Sequence, residues 1–146
     1  MIDQERLAET FKKLVMIDSI SREEARISDA ICEMLSSFHP EILVDGAAGK
    51  TGSDTGNLII RIAGTRNAPA LMLNAHMDTV QPGKGVEPEL HDGVFTSRGE
   101  TILGADDKSA IAIIIEALQT IHEKGLPHAP IELVFTICEE IGLLGA

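Results

Sequence analysis

Tryptophan and tyrosine are absent from this 146-residue chain, and its aromatic content is only 3%. Base-stacking platforms and aromatic cages therefore lack their raw material. Basic residues are also scarce: 12 Lys and Arg stand against 23 Asp and Glu, a formal charge of −11. Such a chain has no basic face with which to neutralise phosphates or dock on an anionic membrane, which argues against nucleic-acid and membrane partners. Two cysteines, Cys32 and Cys138, are too few for a disulfide scaffold and read as reduced thiols. No apolar run approaches a membrane span, since the stretch 110–115 stops at Glu116. The start, Met1-Ile2-Asp3-Gln4-Glu5, is acidic where a secretory signal would be basic. The expectation is a soluble cytoplasmic protein, and 44% hydrophobic residues are enough to build its core.

Apolar residues Leu7, Phe11, Leu14 and Val15 recur at helical spacing over 4–16. A second helix is expected to begin near Ser21, where Ser21 and Glu24 fit a capping box, and to end at His39-Pro40. Residues 41–44, 58–62, 70–75 and 131–137 read as strands, and 45–56, rich in Gly, Ser, Thr and Asp, as a loop. Asp92-Gly93 marks a turn, and 109–122 is a long helix stopped by Gly125-Leu126-Pro127. Helices alternating with apolar strands predict an α/β layered domain, in which 109–122 crosses over between neighbouring parallel strands.

Three clusters of potential ligands follow strand candidates or precede the long helix. They are His76-Met77-Asp78-Thr79-Val80, Leu103-Gly104-Ala105-Asp106-Asp107-Lys108 and Cys138-Glu139-Glu140. Each has a plain reading by itself: a structural histidine, a helix cap and a solvated strand end. Ligands of open α/β sheets bind beyond the carboxyl ends of strands, however, and clusters from three places can converge there. His76 and Asp78 would share a face of an extended segment, so that the carboxylate could hold one imidazole nitrogen while the other binds a metal. Adjacent glutamates on an extended chain would face opposite ways, one to ligate and one to reach a metal-held water.

The ordered strings HMDTV, LGADDK and EEIGLLGA closely resemble the co-catalytic zinc metallopeptidases that include carboxypeptidase G, aminoacylase and peptidase T, and the ADDK form is most like the peptidase T-like tripeptidases. The resemblance implies the amino-terminal part of an α/β zinc-peptidase-like catalytic domain, with a mixed sheet flanked by helices. It also implies two zinc ions, with cobalt or manganese able to substitute. By that resemblance His76 is a terminal ligand of one zinc, oriented by Asp78. Asp106 bridges both metals, with a cis peptide bond after it; Asp107 is not a ligand. Glu139 is the general base and Glu140 a ligand of the other zinc. The substrate class implied is a short peptide, with an N-acyl amino acid as the alternative.

The same resemblance calls for further ligands downstream and for an inserted dimerisation domain. Residues 1–146 are accordingly expected to be an inactive fragment that exposes the 131–137 strand and the face of the long helix, and so self-associates. Cys138 replaces the Gly or Asp usual before the glutamate pair and reads as a buried inert thiol. Gly49-Lys50-Thr51 is not a phosphate loop, because the position five residues before the Gly-Lys pair is Val44.

Overall fold

The computed structural model describes residues 1–146. Helix α1 (Gln4–Val15) is capped by Asp3, whose carboxylate accepts from the Arg6 N–H, and it buries Phe11, Leu14 and Val15. Helix α2 (Ala25–Met34) buries Ile27 and Ile31. After it come strand β1 (Glu41–Val44), a single-turn helix α3 (Ala48–Thr51), and strands β2 (Leu58–Ile62) and β3 (Leu71–His76). Strands β4 (Glu87–His91) and β5 (Val94–Arg98) form a separate hairpin, closed by Asp92 and Gly93 at φ +50° and +81°. Helix α4 (Ala105–Glu123) then leads to strand β6 (Ile131–Thr136).

The main sheet is mixed, in the order β1-β2-β6-β3. β2 pairs antiparallel with β6, and β3 pairs parallel with β6 through the α4 crossover. Alternation sends Leu58, Ile60 and Ile62 of β2, with Ile131, Leu133 and Phe135 of β6, into one core shared with Ile111, Ile115 and Leu118 of α4. The register sets His76 beside Thr136, so β3 and β6 end together.

Three expectations are corrected. The Ser21–Glu24 capping box does not form: Ser21 donates to Asp78, and Glu24 accepts the N–H groups of Arg22 and Cys138. Tertiary partners outcompete the local cap, and α2 starts only at Ala25. Within the presumed loop 45–56, α3 forms because the N–H groups of Lys50 and Thr51 find the Ala47 carbonyl. Finally, β6 is not an open edge; it is flanked on both sides, and the free edges are β1, with Ile42 and Leu43 exposed, and β3, with Leu71 and Met72 exposed.

Helices α1 and α4 are joined by an ion pair at their rim. The Arg6 guanidinium donates to both Glu116 oxygens, at 2.7 and 3.0 Å, and also reaches Glu123. Glu116 is 2% exposed, and Arg6 above all holds its carboxyl down to about 2. A depressed carboxyl stabilises the fold above the unfolded pKa, ~4.3, and loses that contribution as pH falls towards 2. Because solvent screens the Arg6 end, we expect Arg6→Ala to lower stability at pH 7 only modestly. The gap to the parent should narrow as pH falls below ~4.3 and close only near pH 2 in urea unfolding curves; a gap independent of pH would refute the assignment.

Candidate metal centre

The parallel β3–β6 pair and the start of α4 bring all three sequence clusters to one edge of the sheet. His76, the last residue of β3, is 9% exposed. Its Nδ1–H donates to the Asp78 backbone carbonyl at 2.8 Å, which leaves Nε2 facing the site. Nε2 lies 3.0 Å from Asp106 Oδ1 and 3.8 Å from Glu139 Oε2. Ligand atoms of His76, Asp106 and Glu140 all fall within 4.8 Å of one another.

Asp106 projects from the entry of α4, where Asp106 and Asp107 depart from helical φ/ψ and the peptide between them is cis. Gly104 precedes them at φ +73°, and a Cβ there would sit 3.2 Å from the Thr79 methyl group. The Asp106 side chain is 84% exposed, open for ligation, whereas Lys108 turns inward to the Ile17 carbonyl at 2.7 Å.

Asp78 is fully buried and does something other than expected. Its carboxylate stands 3.6 Å from His76 Nδ1, while the nearer contacts are donors: Ser21 Oγ at 2.6 Å and the N–H groups of Glu139 and Glu140 at 2.9 and 3.2 Å. The carbonyl of Asp78, rather than its carboxylate, orients the imidazole. Nor are the glutamates on an extended strand. β6 ends at Thr136, and Cys138 turns the chain at φ +54°, so Glu139 and Glu140 present their side chains from a turn.

The charges are crowded. Burial pulls the His76 imidazolium down, but hydrogen bonds to Asp78 and Asp106 outweigh it and lift the group to about 9. Burial raises the Asp78 carboxyl, yet the neighbouring His76 imidazole and the three donors bring it below the ordinary range. Glu140 is raised by burial and by the charges of Asp106, Glu139 and Asp78, against the pull of His76. One imidazole nitrogen among converging carboxylates is a donor set suited to zinc and similar divalent cations, which would relieve this repulsion. Cys138 is buried; its thiol is pushed up to about 11 by burial and the Glu24 charge, and is inert.

Sequence reasoning passed over Ser21, Glu24 and Asn57 as supports of this edge. Ser21 and Glu24 mimic a helix cap, and Asn57 is a lone amide before a strand, so no local pattern marks them.

The fold and the clustered His, Asp and Glu define an α/β protein of metallopeptidase type. The model of peptidase family M28 matches residues 57–146, well over half of the chain, and the chain belongs to that family. It is 39% identical over its whole length to the uncharacterised protein YqjE of Bacillus subtilis and spans 39% of that protein. Crystal structures of aminopeptidase PepT from Bacillus cereus and of a tripeptidase from Staphylococcus aureus each superpose with a TM-score of 0.95 at 40% identity; each match covers 99% of this chain and 39% of the other. The chain thus spans about two fifths of the length of these relatives. No helix is long and apolar enough to cross a membrane.

Proposed function

We propose that residues 1–146 are the amino-terminal part of an aminopeptidase that hydrolyses short peptides, tripeptides first, at a dinuclear zinc site. The observation that carries this reading is the approach of His76, Asp106 and Glu140 ligand atoms to within 4.8 Å, from three separate elements. In this reading His76 would hold one cation, Glu140 the other, and Asp106 would serve both. When bound, the cations acidify a water and polarise the scissile carbonyl. Glu139 accepts the proton of the attacking water and returns it to the leaving amine. Asp78 holds the backbone of both glutamates and, through its carbonyl, the His76 ring. No covalent intermediate with a side chain is required. The similarity to PepT and to the tripeptidase favours peptides over N-acyl amino acids.

A gene product of the relatives' length should cleave Ala-Ala-Ala in a chelator-sensitive manner, with activity restored by zinc, cobalt or manganese. The 146-residue chain alone should not, because its three ligands leave the cation shells incomplete. Cleavage of N-acetyl amino acids but not tripeptides would overturn the substrate class. Robust turnover by the isolated chain would overturn the need for further ligands.

A further inference from the structure

Where β6 ends, four successive backbone N–H groups leave the sheet ladder, and each is taken by a side-chain oxygen. Ile137 donates to Asn57 Oδ1 at 3.0 Å, Cys138 to Glu24 Oε1 at 3.0 Å, Glu139 to Asp78 Oδ1 at 2.9 Å and Glu140 to Asp78 Oδ2 at 3.2 Å. Buried N–H groups must find acceptors, and here those acceptors come from three segments remote in sequence.

We propose that Glu24 and Asn57 are positioning residues that set the 137–140 turn, and through it the aim of Glu139 and Glu140. This rests on the reading of those two glutamates as base and ligand. Glu24 is fully buried, and its carboxylate is answered by donors: the Arg22 and Cys138 N–H groups and the Cys138 thiol on Oε1, and the Ser53 hydroxyl on Oε2. Asn57 is locked in turn, since its Nδ2 donates to Asp45 at 3.0 Å and to the Gly145 carbonyl at 2.6 Å. The N–H that Glu24 holds belongs to Cys138, the residue whose positive φ turns the chain into the glutamates. Rotation there swings both side chains, and a displacement of ~1 Å at a reacting group can cost ~10²-fold in rate.

Glu24 and Asp78 differ in a way that makes the idea testable. Both backbone N–H groups on Glu24 share one oxygen, so the single amide oxygen of Glu24→Gln can accept both while its NH₂ faces Ser53. Glu24→Ala leaves the turn without that acceptor. In amide hydrogen exchange followed by NMR on this chain, the N–H groups of Cys138, Glu139 and Glu140 should be protected in the parent. Glu24→Ala should speed their exchange by more than ~10-fold with the β2–β6 ladder unchanged, and Glu24→Gln should remain within ~3-fold of the parent. A parallel cobalt(II) titration of a protein of the relatives' full length, followed by absorption, should show affinity weakened ~10-fold by Glu24→Ala and restored by Glu24→Gln. If Glu24→Ala does not fold, Asn57→Ala makes the same comparison from the Ile137 side. Unprotected amides in the parent, unchanged exchange in Glu24→Ala and Asn57→Ala, or Glu24→Gln behaving like Glu24→Ala would overturn the proposal. Protected, Glu24-dependent amides in this chain, together with a protein of the relatives' full length that takes up no cobalt, would instead defeat the metal reading and leave the positioning role standing.

Discussion

In a protein of the relatives' full length, Glu139→Gln should cut turnover by ~10²–10⁴-fold while leaving metal content intact. The substitution keeps the side chain's shape and removes the group that accepts the water's proton. Glu139 lies 3.8 Å from His76 Nε2, at the rim of the ligand cluster, whereas Glu140 joins His76 and Asp106 within 4.8 Å. Glu140→Gln exchanges a charged ligand for a neutral amide, so metal content itself should fall, and excess zinc should restore part of the activity. Metal stoichiometry measured beside kcat for both variants separates the roles. Metal loss in Glu139→Gln, with full metal and no turnover in Glu140→Gln, would reverse them.

Asp78→Asn should be nearly as damaging, although its side chain touches no substrate in this scheme. The two oxygens of Asp78 serve different donors: Oδ1 takes the Glu139 N–H, and Oδ2 takes the Glu140 N–H and the Ser21 hydroxyl. An asparagine has one acceptor oxygen, so either orientation turns an NH₂ towards a buried N–H. One unsatisfied amide at this fully buried position costs about 1–3 kcal/mol of stability. The turn that carries both glutamates would shift with it. We expect a lowered Tm, weakened cobalt binding and at least ~10²-fold loss of kcat with little change in KM. A variant with parental Tm and kcat would show that Asp78 supports neither glutamate.

Much of the architecture was legible before any coordinates. The periods of 4–16 and 109–122, the apolar runs 58–62 and 131–137, and the Asp92-Gly93 turn each correspond to an observed element. These signals are local, and the buried faces they imply agree with one core. The parallel pairing of β3 with β6 was also inferable, because a long helix between two strands leaves few other connections. What escaped notice was the β4–β5 hairpin around that turn, whose outward-facing residues give no clean alternation, and α3, a single turn without an apolar face.

The sequence by itself determined the chemistry on offer: one imidazole and five carboxylates in three short strings, adjoining apolar segments of opposite periodicity. Residue type sets what an atom can donate, accept or ligate, and neighbouring apolar spacing sets which element delivers it. The tertiary structure alone decided who holds whom. Asp78 turned its carbonyl to His76 and its carboxylate to the glutamate amides, and Glu24 left a helix cap 114 residues away in sequence to hold Cys138. Such choices follow from the demand that every buried N–H find an acceptor. That demand is settled by which groups the packed sheet and helices bring within 3 Å, and no spacing along the chain records it.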